Sequence, residues 1–160
     1  HEILDVLIQP LPYTKSTPER TTYPRGAIAL TVRTAENQHL RFISTHFQHN
    51  VAEDRVAEAK AINRLFAGDE DSMPTILAGD MNANPQAEPV KILLSKWTCA
   101  IEAVPAASAP APAPSSRIDY IFFREASRFR LLSTKVIEES LASDHRPVFA
   151  ELELRTPQNP

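Results

Sequence analysis

Short β-branched runs broken by turn residues, and one stretch with apolar residues three and four apart, define the elements this chain is expected to form. Ile3-Leu4-Asp5-Val6-Leu7-Ile8 predicts a strand ended by Gln9-Pro10. Residues 11–25 carry Pro12, Pro18 and Pro24 among polar side chains and read as loop. Gly26 to Arg33 and Leu40 to Thr45 predict two strands joined by a turn at Ala35-Glu36-Asn37-Gln38. Asn50 is placed as the N-cap of a helix, with Glu53 completing a capping box. Ala52, Val56, Ala59, Ile62 or Asn63, and Phe66 mark that helix's buried face, and Gly68 stops it.

Pro74-Thr75-Ile76-Leu77-Ala78-Gly79 is wholly apolar apart from its threonine, the signature of a buried central strand. A second helix is expected over about Ala87 to Ser95. Ala103 to Ser116 is almost entirely Ala, Pro and Ser, and its Ala/Pro-rich part, 104–116, reads as a polyproline-like surface loop outside the core. Three more strands follow, at Arg117–Arg124, Leu131–Ile137 and Pro147–Leu154. The order β-ββ-α-β-α-β-β-β predicts an α+β fold: a mixed β-sheet with helices on one face, in a single unit spanning 1–160.

Composition narrows the function classes. Hydrophobic residues make up 42% of the chain and charged residues 23%, which excludes a disordered tail, a collagen or a coiled coil. No run approaches the roughly 18 apolar residues of a membrane span. Seventeen Lys+Arg stand against twenty Asp+Glu, a net charge of -3. An acidic chain with no basic stripe carries no strong nucleic-acid signal, so phosphate chemistry would need a local site with a metal. The one cysteine, Cys99, excludes an intrachain disulfide and a cysteine-based zinc site and leaves the compartment open.

Four short segments carry candidate chemistry. Asp80 and Asn82 follow the buried strand in Gly79-Asp80-Met81-Asn82-Ala83-Asn84-Pro85 and, two apart, point the same way in extended backbone. The bland alternative is an Asx turn that merely ends the strand. Asp144 and His145, just before the last strand, put a carboxylate and an imidazole together. Asp119 sits inside the apolar strand Arg117-Ile118-Asp119-Tyr120-Ile121-Phe122 and needs a partner, either Arg117 or an imidazole. His46 and His49 lie three apart at a strand-to-helix junction.

Taken in order, Thr-His-Phe-Gln-His, Gly-Asp-Met-Asn-Ala-Asn-Pro, Arg-Ile-Asp-Tyr-Ile-Phe and Ser-Asp-His-Arg-Pro-Val resemble the endonuclease/exonuclease/phosphatase family. These are the metal-dependent phosphohydrolases that include pancreatic-type deoxyribonuclease, abasic-site endonucleases, sphingomyelinases and inositol polyphosphate 5-phosphatases. The resemblance runs from Tyr23 to Leu154 and is nearest to bacterial hydrolases with a similar Arg-Gly-Ala strand start. It implies the C-terminal half of an αββα four-layer sandwich and hydrolysis of a phosphodiester or phosphomonoester by activated water. It implies His46 on the scissile phosphate and Asp80 and Asn82 on the water and phosphate oxygens. Asp119 would orient His145 as general base, Asp144 would lie at a Mg²⁺ or Mn²⁺ site, and His49 and Arg25 would contact substrate.

The family also begins with a metal-binding Asn and a Gln-Glu motif, and neither is present: Glu2, Asp5 and Glu19 stand in no such motif. The resemblance therefore implies that the N-terminal half of a full member is missing and that this chain alone is a poor catalyst. The inner sheet face would then be covered by that half or by a second copy of the chain. The alternative function is a non-catalytic binding or dimerisation domain of the same fold.

Overall fold

The computed structural model describes residues 1–156, so the last four positions of the expected 1–160 unit lie outside the described residues. The chain forms strands β1 (Glu2–Pro10), β2 (Gly26–Arg33) and β3 (His39–His46), helix α1 (Ala52–Phe66), strand β4 (Thr75–Asp80) and helix α2 (Glu88–Leu94). Strands β5 (Thr98–Cys99), β6 (Asp119–Arg124), β7 (Phe129–Val136) and β8 (Val148–Leu154) follow. Six strands make one mixed sheet in the order β1-β2-β3-β4-β6-β5, and β7 and β8 form a separate hairpin. Among the described residues only β3 and β4 pair in parallel, because α1 carries the chain back between them. The α+β class and the mixed sheet match the sequence reading. Among the described residues no helix is long and apolar enough to cross a membrane.

Alternation along each strand separates the two sheet faces. Ala27, Ala29, Ile43, Leu77 and Phe122 pack with Ala59, Ile62 and Phe66 of α1 and with Val90 and Leu93 of α2. The opposite face is only partly covered. The β7-β8 hairpin lays Leu131, Ala150, Leu152 and Leu154 over Leu40, Ile76, Ile121 and Phe123. Beyond the hairpin, Ile28 stays 48% and Phe42 41% exposed. Phe42, Ile76, Ala78, Ile121 and the near side of β8 line a groove of about 340 Å³. β1 is an edge strand whose apolar residues are exposed on both faces, Ile8 at 72% and Leu7 at 42%.

Three sequence expectations need correction. Asn50 does not cap α1: Val51 stands at that position with no side-chain cap, and the Asn50 amide instead donates to the Thr21 carbonyl. The first turns of α1 do not bury Ala52, which is exposed, or fully bury Val56. Asp54 and Glu58 are buried there in their place. This end of the helix packs on loop backbone, so acceptors rather than methyl groups satisfy its neighbours. Asp54 takes both the N–H and the hydroxyl of Thr14, at 2.9 and 2.7 Å.

The Ala/Pro-rich tract is the third correction. Ser108, Ala109 and Ala111 are buried. The tract folds back on itself through Ala109 and Ser116 and then holds the segment before β8. Ala111 N–H donates to the Asp144 carbonyl, Arg146 N–H donates to the Ser108 carbonyl, both at 2.7 Å, and Arg146 Nε donates to the Ala111 carbonyl. Low complexity leaves every backbone carbonyl and the N–H groups of the non-proline residues, and those make the contacts.

Candidate active site

Sheet register brings the first three candidates abreast. His46 is paired with Asp80 across β3 and β4, and Asp80 with Asp119 across β4 and β6. Partners directly opposite share a face, so the imidazole and two carboxylates project side by side at one end of the sheet. That face is the open one, and Asp80 and Asp119 border a cavity of about 370 Å³ continuous with Phe42, Ala78 and Ile121. Gly79 permits the close approach: a Cβ on it would lie 1.9 Å from the Thr45 carbonyl oxygen.

The loop before β8 adds His145. Its Nδ1 lies 3.1 and 3.0 Å from the two carboxylate oxygens of Asp119, the better of them shared with Ser108, whose hydroxyl donates at 2.6 Å. Asp119 therefore has an imidazole and a hydroxyl as partners. Arg117 goes elsewhere, to Glu102 at 3.0 Å and to the Asp119 main-chain carbonyl at 2.8 Å. With Nδ1 on the carboxylate, Nε2 of His145 is left for a ligand. Partial burial disfavours the imidazolium, but the Asp119 hydrogen bond and charge outweigh it and raise the His145 pKa above its ordinary value.

His46 Nε2 stands 3.5 Å from Asp80 Oδ2. Its pKa is lowered, first by burial and then by the Arg25 guanidinium. Burial raises Asp80, against the hydrogen bond it receives from the Asn82 N–H at 2.7 Å, and the Asp119 charge raises it further. Asn82 occupies left-handed backbone, φ 48°, which its short polar side chain tolerates, and its side-chain amide donates to the Phe47 carbonyl at 2.9 Å. The Asx turn and the site position are the same structure: Asp80 closes the turn with one oxygen and faces His46 with the other.

Asp80, Asp119 and His145 offer ligand atoms within 4.8 Å of one another, an acidic cluster able to attract a divalent cation. Asp144 is outside this cluster. Its side chain is exposed and accepts the Ser143 hydroxyl, while its carbonyl is held by the Ala111 N–H. His49 is exposed with its ring 5.7 Å from that of Tyr23, and the Arg25 guanidinium lies 5.9 Å over the same Tyr23 ring. Neither joins the row of His46, Asp80 and Asp119 by a hydrogen bond. Ser108 was not visible as a site residue, since nothing in an Ala/Pro tract marks one serine. Glu58 did carry a signal: with Asp54 it falls at four-residue spacing on the same helix stripe as Ile62 and Phe66.

A family model described as endonuclease/exonuclease/phosphatase family matches residues 5–145. The chain belongs to that family. No curated protein matches it. Solved structures show the fold. A functionally unknown conserved protein from Enterococcus faecalis V583 superposes with a TM-score of 0.78 at 23% identity, over 96% of this chain and 67% of that one. The mannosyl-6-phosphatase Bt3783 of Bacteroides thetaiotaomicron VPI-5482 gives 0.75 at 20% identity, over 96% and 67%. The human Nocturnin catalytic domain with bound sulfate gives 0.74 at 18%, over 96% and 60%. The chain thus spans about two thirds of the length of these family-fold proteins. Family members are hydrolases acting on phosphate esters.

Proposed function

We propose that this chain carries the base and phosphate-contact side of a metal-dependent phosphoesterase, which hydrolyses a phosphodiester or phosphomonoester by activated water. The row of His46, Asp80 and Asp119 with His145 clamped on Asp119 is the observation that supports this most. Water is a poor nucleophile, and a base held by a carboxylate removes its proton as the bond to phosphorus forms. His145 accepts that proton at Nε2 while Asp119 stabilises the imidazolium. The raised pKa matches a base working near neutrality. His46 and the second N–H of the Asn82 amide donate to the phosphate oxygens, where negative charge grows in the transition state. Asp80 positions Asn82 through its N–H and stands beside the water.

A hard divalent ion such as Mg²⁺ or Mn²⁺ fits this donor set. Mg²⁺ keeps several waters and binds through one or two carboxylates and the substrate phosphate. Asp80, in the cluster with Asp119 and His145, would supply one such carboxylate, and Asp144, exposed and outside that cluster, would supply the other from the loop before β8. The ion would neutralise charge on the phosphate. Asp119 is engaged by His145 and Ser108 and is assigned to orientation. Arg25 and His49, against Tyr23, would bind the rest of the substrate. The names of the neighbours, a sugar phosphatase and Nocturnin, share only the phosphate-ester class, and that class is what this reading adopts.

The open sheet face supports a second element of the reading. Its exposed Phe42 borders the site cavity, Ile28 is exposed on the same face, and the relatives are about half as long again. Chain equivalent to the relatives' additional third would cover this face and complete the ion's ligands. The isolated chain is therefore expected to turn over slowly. The test is hydrolysis of bis-p-nitrophenyl phosphate with Mg²⁺ or Mn²⁺. His145→Ala and Asp119→Asn should each lower the rate by on the order of 10²–10⁴. Rates unchanged in both variants would refute the base assignment. Reversible dimerisation in sedimentation with activity that grows with concentration would assign the open face to a second copy that completes the site, whereas dimerisation with no turnover at any concentration would support the rival, non-catalytic dimerisation reading.

A further inference from the structure

The peptide group between Phe47 and Gln48 is held from both ends. Its carbonyl accepts the Asn82 side-chain amide at 2.9 Å. Its N–H donates to Glu58 Oε2, also at 2.9 Å. In a trans peptide the C=O and N–H point opposite ways, so carboxylate, peptide and amide form one chain of hydrogen bonds. Such chains polarise along their length, and a charged acceptor at one end strengthens the bond at the other.

Glu58 is an expensive residue to place there. It is 0% exposed, and its other oxygen, Oε1, is buried without a partner. A half-satisfied buried carboxylate destabilises a fold and calls for an explanation. Two of the charged groups around it are committed to other positions. Asp54, one turn earlier on α1, holds Thr14. Arg55 donates to the carbonyls of Gln48 and His49 at 3.1 and 2.8 Å. Arg25, just before β2, has a buried Nε that also lacks a partner. Burial pushes the Glu58 carboxyl up to about 7; the Gln48 N–H holds it down, Asp54 adds to the rise, and Arg25 and Arg55 oppose it.

We propose that Glu58 is a positioning residue that acts through the Phe47–Gln48 peptide to fix the Asn82 amide for a phosphate oxygen. This rests on Asn82 being a phosphate contact, as argued above. With Glu58 ionised, the peptide carbonyl is a strong acceptor and Asn82 is held tightly. With Glu58 protonated the pull on the Gln48 N–H weakens, and the Asn82 amide is released to a wider range of orientations. His46 ends β3, one residue before this peptide, and does not depend on this bond.

The test uses nitrogen-15 NMR on the whole chain. From pH 5 to 9 the Gln48 backbone amide and the Asn82 side-chain amide should share a midpoint near 7. In Glu58→Gln that midpoint should vanish from both, while His46 and His145 still titrate. Inorganic phosphate at pH 8 should bind this variant about threefold to tenfold more weakly than the wild type, the range of about half to all of a 1.4 kcal/mol step. An Asn82 amide that does not follow Gln48 in the wild type, or that keeps the shared midpoint in Glu58→Gln, would overturn the relay. A wild type that follows the shared titration but shows no phosphate shift at Asn82 would uphold the hydrogen-bond chain and overturn the phosphate role. The wild-type titration needs no variant to fold.

Discussion

Replacing Glu58 by Gln should stabilise the protein at pH 8 and leave it nearly unchanged at pH 4. Glu58 titrates near 4.5 in an unfolded chain and at about 7 in the fold. As pH rises past 4.5 the unfolded chain gives up its proton first, so between 4.5 and 7 the folded state binds more protons. Stability must then fall with pH over that window. At about 1.4 kcal/mol per pH unit, the gap from 4.5 to about 7 is worth roughly 3 kcal/mol. Gln has the same shape, keeps an oxygen to accept the Gln48 N–H, and has no charge to bury. The attraction to Arg25 and Arg55 is already contained in the value of about 7, so roughly 3 kcal/mol is the expected figure, with about 1 kcal/mol a floor where the fold relaxes around the ionised carboxylate.

For a chain of this size each kcal/mol moves Tm by about 2–4 °C, so a rise of up to about 10 °C is expected at pH 8. Urea unfolding of both proteins at intervals from pH 4.5 to 8.5 measures it, and the difference between the two curves cancels every other titrating group. A difference that stays flat with pH, or a variant less stable than wild type at pH 8, would refute the reasoning. A residue that lowers stability at working pH and yet improves the site is the usual trade between the two.

Four further outcomes follow from the same structure. Asp119→Asn removes the bond and charge that raise His145, so the His145 midpoint in ring NMR should fall. The wild type's stability from this pair, complete below the ordinary histidine pKa and lost as pH rises through the raised one, should disappear with it. Arg25→Gln should raise the His46 midpoint, since Arg25 is the main charge holding it down after burial, and an unmoved midpoint would place the cause in burial alone. Gly79→Ala should destabilise by about 3 kcal/mol or more, because its Cβ meets the Thr45 carbonyl at 1.9 Å and β3 and β4 must part; a stability within 1 kcal/mol of wild type would show that the strands give way easily. Ser108→Ala should lose about 1 kcal/mol and loosen His145, visible as faster amide exchange around Arg146.

The sequence by itself determined the local elements and the order of the chemical residues. The β-branched runs at Gly26–Arg33 and Pro74–Gly79, the four-residue spacing through Ile62 and Phe66, and the turn at Asp80-Met81-Asn82 are all written in near neighbours, where periodicity and turn chemistry act. The need of Asp119 for a partner was also legible, because an acid in an apolar strand is costly wherever the strand goes. The choice between Arg117 and His145 was not. It depends on a loop 26 residues away in sequence, placed by main-chain bonds from a tract whose composition says nothing about its contacts.

The alignment of His46, Asp80 and Asp119 was likewise decided in three dimensions, by the parallel register of β3 on β4 and the antiparallel register of β6. A slip of one residue in either pairing would turn a site residue to the other face. Glu58 shows the same division most clearly. Its helix stripe put it inside, but only the loop packed on α1 supplied the N–H that makes a buried carboxylate part of the site.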